Sequence, residues 1–376
     1  MSGNLLTEQA FAETIAANGG RVFRVGGCVR DMFMGITPQD IDFCITGMVK
    51  KNFKTLFPEA EECSKAFPVF RLLIDGQRCE AAFARTERKV GSGHKGFKVA
   101  SNPKITIEED LLRRDTTVNA IAVDCLNNEV IDPFNGRRDI KDSILRATGK
   151  HFAEDPIRAL RLAGQAARFG FEIESGTVAL ASTVAVELAA EPVERLLAEL
   201  MKVLAVAQQP ARFFKALAAA QLLPAAFSEI SGLSQAEFDT AMANLDAVAR
   251  VTPKPKLRFA ALGLALDQDQ LRRWNNRMTL PGDWLAAAVI AGNTAAFLAA
   301  PSPDRIVDAV NRLRRGALSI EEFDIIATAA SLSLPELTPV MAVFALLPED
   351  PVAKTLQGEK RGEWLRQKQI EAIANR

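Results

Sequence analysis

The chain has 376 residues, enough for roughly two or three domains. It is 48% hydrophobic and 24% charged, the proportions of a folded globular protein. Lys+Arg and Asp+Glu number 46 each, so the formal net charge is zero and a nucleic-acid site must be a local patch, not a global basic field. With two histidines, no tyrosine and cysteines that form no CxxC pair, a His-based metal cluster, phenol chemistry and a disulfide frame are not expected.

Residues 1–20 read as an amphipathic helix with no secretory leader, and the apolar stretches are interrupted by charge. A reduced, cytoplasmic protein without membrane contact is expected. Up to about residue 150, short β-branched and aromatic runs (RVFRVGG, DIDFCIT, VFRLLID, CEAAFAR, EVIDPF) predict strands between helices and loops. Beyond it Ala, Leu, Glu and Arg recur at helical spacing, which predicts an α+β head on an all-helical remainder.

The first informative stretch is Val22-Phe23-Arg24-Val25-Gly26-Gly27-Cys28-Val29-Arg30-Asp31. A strand runs through Gly26 and Gly27 into a helix that carries Arg30. Glycines at such a turn let backbone N–H groups approach a phosphate, and a plain tight turn is the alternative.

Asp40-Ile41-Asp42-Phe43 follows. In a strand, positions i and i+2 face one way, so Asp40 and Asp42 project together while Ile41 and Phe43 turn inward. Side-by-side carboxylates repel unless a cation lies between them. A pair of Mg²⁺ ions is the natural occupant, because hard cations take carboxylate and phosphate oxygens. Solvated acids at a strand start are the alternative.

Residues 86–110 are Gly- and Lys-rich and predict a long mobile loop. Arg113-Arg114-Asp115-Thr116-Thr117-Val118-Asn119 then predicts one short helix. Its arginines would serve a triphosphate, and Asp115 or Asn119 would accept from a ribose 2′-OH. A helix with a surface salt bridge is the plain reading. Asp132-Pro133-Phe134-Asn135-Gly136 is a turn signal.

Glu154-Asp155-Pro156-Ile157-Arg158-Ala159-Leu160-Arg161 predicts a helix start, with Asp155 as N-cap and Pro156 as the first helical residue. The same segment puts an acceptor, Asp155, on one face with a donor, Arg158. Cytosine and adenine each present an amino donor beside a ring-nitrogen acceptor, whereas guanine and uracil present the reverse. The wrong base would leave buried polar groups unpaired, at about 1–3 kcal/mol each.

VGGCVRD followed by PQDIDF resembles the glycine-pair and Asp-x-Asp signature of the DNA polymerase β-like nucleotidyltransferases. RRDTTVNA, DPFNG, EDPIRALR and Glu194-Arg195-Leu196-Leu197-Ala198-Glu199 stand in the order found in class II tRNA nucleotidyltransferases, the bacterial CCA-adding enzymes and related poly(A) polymerases. The resemblance covers about residues 20–200, and LQGEKRGEWLRQKQIEAI is similar to the family's C-terminal helix.

The resemblance implies a nucleotidyltransferase head (1–147) with a small mixed sheet, a helical neck that selects the base (148–205), and a helical body and tail that dock tRNA (206–376). It implies CCA addition to the tRNA 3′ end from CTP and ATP, with release of pyrophosphate. Asp40 and Asp42 would hold metal, and Glu80 would complete the catalytic acids. Gly26, Gly27, Arg30, Arg113, Arg114, Asp115, Asn119, Asp155, Arg158 and Arg161 would bind nucleotide. Arg85, Arg88, Lys89 and Lys98 would track RNA. Glu194, Arg195 and Glu199 would support the base-selecting helix. No protein partner is implied. A poly(A) polymerase, a CC-only or A-only enzyme, and an inactive RNA-binding homologue remain as alternatives.

The chain departs from the family at two places. Gly164 and Gln165 stand where many bacterial members have Arg-Phe, so one cation is missing. The stretch matching a second, His-Asp hydrolase domain, Arg258-Phe259-Ala260-Ala261-Leu262-Gly263-Leu264-Ala265-Leu266, carries neither His nor Asp at the needed places, so that activity is not expected. Lys254, Lys256, Arg258, Arg272, Arg273 and Arg277 are candidate phosphate contacts or a solvated helix face. His94 and His151 read as incidental.

Overall fold

The computed structural model describes residues 5–63, 68–89, 91 and 97–375. The chain divides into two compact units. The first runs to Ala166 and adds Gly170–Glu191 and Ala219–Ala225; the second holds Ala167–Phe169, Pro192–Ala218 and everything from Ala226.

The first unit contains, in order, α1 (Glu8–Ala16), β1 (Arg21–Val25), α2 (Gly27–Phe33), β2 (Asp42–Thr46), α3 (Lys50–Leu56), β3 (Glu61–Glu62), β4 (Val69–Ile74) and β5 (Gln77–Phe83). Next come β6 (Thr86–Lys89), β7 (Phe97–Ala100), α4 (Ile107–Leu112), β8 (Ala122–Asp124), β9 (Val130–Ile131), α5 (Gly136–Asp142) and β10 (Ile144–Leu145). The unit closes with most of α6 (Ile157–Phe169), then β11 (Glu172–Ile173), α7 (Ser175–Ser182) and α8 (Ala185–Ala189).

A seven-stranded sheet in the order β3-β4-β5-β2-β1-β8-β9 organises this unit. Only β2 and β5 run parallel within it; the other pairs are antiparallel. Period-2 alternation explains its two faces. Val22, Phe43, Ile45, Phe70 and Phe83 point to one side, where α1 and α3 bring Phe11, Ile15 and Phe53. Phe53 and Phe70 stack with centroids 4.8 Å apart, and Phe11 meets Phe43 at 5.5 Å. Phe23, Val25, Cys44 and Ala84 point to the other side, onto Ile107 and Leu111 of α4. Asp42 and Glu80 share this second face with Cys44, so the apolar packing behind the sheet fixes the direction of the acids.

Four expectations need correction. Residues 86–110 are not one loop: β6 and β7 form an antiparallel hairpin, and α4 starts at Ile107. Thr106 and Glu109 close a reciprocal capping box at that start, a signal present in the sequence. Asp40 lies in a bend after Pro38 rather than in a strand, and β2 begins only at Asp42. Arg113–Asn119 is not one helix. α4 ends at Leu112, Thr116 is extended, and Thr117–Asn119 make a single 3₁₀ turn. The β-branched run Thr116-Thr117-Val118 disfavours helix there. Finally, the neck is helical except for β11, which pairs in parallel with β10.

Beyond α8 the chain is helical: α9 (Val193–Val206), α10 (Ala211–Ala219), α11 (Leu223–Ala226, of which only Ala226 belongs to the second unit), α12 (Ser228–Ser231), α13 (Gln235–Val251), α14 (Pro255–Leu262) and α15 (Gln268–Met278). It continues with α16 (Trp284–Leu298), α17 (Pro303–Leu313), α18 (Ile320–Ala329), α19 (Met341–Leu346), α20 (Pro351–Thr355) and α21 (Gly358–Ala374).

Arg258 is a buried tie rather than a phosphate contact. Its guanidinium donates to the carbonyls of Leu204, Ala207, Ala249 and Thr252, satisfying the C-terminal ends of α9 and α13. Arg277 is held by Glu229 and the Ala226 carbonyl, while Arg272 and Arg273 are exposed. A Cβ on Gly263 would lie 2.0 Å from the Ala288 carbonyl oxygen, so α14 and α16 meet backbone to backbone and no side chain fits at position 263. Among the described residues, no helix is long and apolar enough to cross a membrane.

Candidate active site

β1 delivers the chain to Gly26, whose φ of 75° is a conformation that side-chain-bearing residues rarely adopt. α2 starts at once with Gly27. Nη1 of Arg114 lies against Gly26, and its Nη2 donates to Asp110 at 3.0 Å. Nε of Arg114 is buried and has no hydrogen-bond partner among the described residues. A buried donor left unmet beside a glycine turn suits an anionic ligand.

Across the parallel pair, Asp42 stands in register with Glu80. Glu80 also meets Arg71 at 3.2 Å on its other side. Partial desolvation raises the Asp42 carboxyl above its ordinary value. The Arg114 guanidinium opposes that rise, and repulsion from Glu80 and Asp40 adds to it. The three acids therefore feel one another. Among the described residues, no set of three or more His, Cys, Asp and Glu side chains already surrounds one point. The donor set is nevertheless hard anionic oxygen on adjacent strands, which fits a divalent cation that draws its remaining ligands from water and substrate phosphates.

Behind the turn lies Asp110, 1% exposed, which sequence reasoning missed. Its Oδ1 accepts from Arg113 at 2.6 Å and from the Arg85 backbone N–H at 3.2 Å, and its Oδ2 from Arg114. Burial pushes its carboxyl up, but Arg114 and Arg113 outweigh that and hold it below the ordinary range. Glu87 is a second missed acid. It accepts from Arg85 at 2.9 Å and from Arg113 at 3.0 Å, and stands 3.7 Å from Nη2 of Arg158. No motif marked either acid; the capping box beside Asp110 was the available signal.

Asp155 is extended, Pro156 takes helical angles, and regular α6 begins at Ile157. The Asp155 carboxylate accepts from the Ile157 N–H at 3.2 Å, and its carbonyl accepts from the Arg158 N–H. The Arg158 side chain is buried and donates to the His151 carbonyl. Burial lowers its guanidinium pKa; Asp155, Glu87 and Asp115 act against that shift. Asp155 and Arg158 thus sit in one electrostatic cluster with the arginines that surround Asp110.

A third network joins the remaining residues. Arg30 is buried on Asp31 and donates to Asn119 Oδ1 at 2.6 Å. Asn119 Nδ2 donates to Asp115 Oδ1 at 2.9 Å. Gln165 of α6 donates to Asp115 Oδ2 at 3.2 Å and accepts from the Thr116 hydroxyl at 2.8 Å. Arg30 therefore lies inside the protein, and Arg161 is exposed on α6. The backbones of Arg88, Lys89 and Lys98 belong to the β6–β7 hairpin, with Arg88 opposite Lys98. Their side chains and His94 lie outside the described residues. His151 pairs with Glu154 at 2.9 Å. On α9, Glu199 accepts from Lys202 at 2.9 Å.

This architecture has known counterparts. The Poly A polymerase head domain family matches residues 22–146, and the probable RNA and SrmB-binding site of polymerase A matches residues 170–233. The Thermotoga maritima CCA-adding enzyme complexed with tRNA superposes with a TM-score of 0.71 at 21% identity, covering 98% of this chain and 91% of that one. A Bacillus stearothermophilus CCA-adding enzyme in complex with CTP gives 0.69 at 23%, over 97% and 90%. A CCA-adding enzyme of Coxiella burnetii is 32% identical over 371 residues, 94% of each chain. With that identity along nearly its whole length, and with the head family matched across its sheet, this chain belongs to the CCA-adding enzymes, the class II tRNA nucleotidyltransferases.

Proposed function

We propose that this chain adds C, C and A to the 3′ end of tRNA, from CTP and ATP and without a nucleic-acid template. The observation that carries the reading is the continuity of the site within one unit. From Asp42, the line of charge runs through Arg114, Asp110, Arg113 and Glu87 to Arg158. The acids at the sheet and the acceptor–donor pair at the start of α6 thereby attend opposite ends of one nucleotide.

Enzymes of this family use divalent metal ions. Two Mg²⁺ ions held by Asp40 and Asp42 would acidify the attacking hydroxyl and neutralise the triphosphate. Around them, the N–H groups at Gly26 and Gly27 and the unmet Nε of Arg114 hold phosphate oxygens. Glu80 keeps a second carboxylate on the reacting face. Asp115 accepts from the ribose 2′-OH, and Arg30 with Asn119 fixes its angle. Asp155 accepts from the amino group of cytosine or adenine, and Arg158 donates to the adjacent ring nitrogen. Arg161 and Arg85, with Arg88, Lys89 and Lys98 of the hairpin, are assigned to contacts with RNA or triphosphate. The tRNA 3′ oxygen bonds to the α-phosphorus, and the bond to pyrophosphate breaks. Positioning and charge neutralisation supply the rate.

The test is a tRNA transcript that ends before CCA, incubated with each nucleotide singly and with both, followed by 3′-end sequencing. CCA ends made only with both nucleotides support the proposal. Unlimited A-tailing of arbitrary RNA without use of CTP, or no pyrophosphate release at all, overturns it.

A further inference from the structure

Gln165 is only 9% exposed, although it is polar and lies on the inner face of α6. A buried amide is costly unless its groups are met, and here both are. Nε2 donates to Asp115 Oδ2, and Oε1 accepts the Thr116 hydroxyl proton. The orientation follows from chemistry: an ionised carboxylate only accepts, so the amide NH₂ must face Asp115.

The rest of Asp115 is equally constrained. Its Oδ1 accepts from the Thr116 N–H at 2.8 Å and from Asn119 at 2.9 Å. Asn119 cannot flip, because Arg30 holds its oxygen. A carboxylate has about four acceptor positions. Those on Oδ1 are taken, and Gln165 takes one on Oδ2, so the position left for a ligand is on the oxygen that Gln165 holds. Asp115 is half-buried rather than sealed in the core.

We infer that Gln165 is a positioning residue for sugar recognition: it fixes Asp115 so that its remaining acceptor meets a ribose 2′-OH, and it ties that acceptor to the base-reading helix α6. The inference rests on the proposed nucleotide transfer. Because Gln165 and Arg158 share α6, the sugar and base contacts are set by one rigid element.

The test compares CTP with dCTP in single-nucleotide addition to truncated tRNA. Gln165→Met keeps the bulk but removes both hydrogen bonds. The CTP/dCTP ratio of kcat/KM should fall about tenfold, the effect of one lost hydrogen bond to a charged acceptor. Gln165→Glu puts a second carboxylate against Asp115, with Arg158 as the charged neighbour that feels Asp115. Its ratio should be low in alkaline buffer and recover in mildly acidic buffer, where a protonated Glu donates as Gln does. Equal losses on CTP and dCTP, or an unchanged ratio at every pH, overturn the inference while leaving nucleotide transfer standing. A wild-type chain that does not extend tRNA overturns the underlying reading and this inference with it.

Discussion

Gly26 and Arg114 are fitted to one another: a Cβ on Gly26 would lie 2.8 Å from Nη1 of Arg114. Arg114 cannot simply swing aside, because Asp110 holds its Nη2. Gly26→Ala therefore combines backbone strain at φ 75° with displacement of the cation nearest Asp42. Strain of that kind costs about 1–3 kcal/mol. The expected result is a lower Tm together with at least a tenfold loss of kcat/KM for CTP, a loss of roughly 1.4 kcal/mol or more. Gly27 is different, since a Cβ there meets only the Arg30 guanidinium at 3.5 Å. Gly27→Ala should keep the wild-type Tm and raise KM alone. Thermal melts and steady-state kinetics on both variants check the contrast; equal Tm values for the two would contradict it.

Asp42 sets function against stability. Its carboxyl is raised in the folded chain, first by desolvation. A folded state that binds its proton more tightly is favoured at low pH and loses that advantage as pH rises through the raised value. In the absence of metal, Asp42→Asn should therefore melt higher than wild type at neutral pH. The difference should shrink toward the ordinary carboxyl value of 3.8. Added Mg²⁺ should raise the Tm of wild type by mass action and do less for the variant. Nucleotide incorporation by the variant should vanish. Melting curves at two pH values, with and without Mg²⁺, read all of this.

Asp110 behaves in the opposite sense. Burial alone would raise its carboxyl, but Arg114 and Arg113 hold it low. A depressed carboxyl contributes stability above its unfolded value and loses it as pH falls through the folded one. Acid unfolding of wild type should include this residue, below the ordinary 3.8. Asp110→Ala leaves two guanidinium groups without their shared carboxylate, a loss of about 3–5 kcal/mol for a buried pair broken on one side. Urea denaturation at neutral pH should show that loss. A variant within about 1 kcal/mol of wild type would mean that the arginines find other partners.

How much of this was legible in the sequence depends on the range of the interaction. β1, the Gly26 turn and the start of α6 were readable because glycine, proline and period-2 alternation act within a few residues. Arg113–Asn119 was misread as a helix because two arginines and an amide suit one. The deciding contact, the Thr117 N–H to the Arg146 carbonyl, comes from far along the chain. Asp110 and Glu87 each have a local arginine partner, Arg113 and Arg114 within one turn of Asp110 and Arg85 two residues from Glu87, but the ties that join the two acids into one cluster, Arg113 and Arg158 to Glu87 and the Arg85 N–H to Asp110, come from the fold. Arg258 shows the converse. Its sequence context suggests a surface cation, and only the helix ends around it reveal a buried tie. Gln165 and Asp115 were each visible in the sequence, Gln165 as a departure from the resemblance and Asp115 as a candidate acceptor, yet the bond between them, 50 residues apart, was not.

The pair proposed to read the base yields the sharpest prediction. Asp155 is held by the first helical N–H of α6, and Arg158 by the His151 carbonyl, so both point from fixed backbone. Asp155→Ala removes the acceptor for the amino group but leaves Arg158 in place. Cytosine and adenine then lose one contact, whereas uracil and guanine, which offer a carbonyl at that position, lose a repulsive one. Discrimination against UTP should therefore fall by about tenfold to a hundredfold, with CTP addition weakened by a similar factor. Arg158→Lys should not keep the wild-type preference, because an ammonium cannot both hold the His151 carbonyl and make the proposed contact to the base as a planar guanidinium can. Its burial should also release Glu87, which then stands beside Arg85 and Arg113 alone. Competition between CTP and UTP on a truncated tRNA, read by sequencing the added nucleotide, decides the matter. If Asp155→Ala keeps its selectivity, the base is read elsewhere.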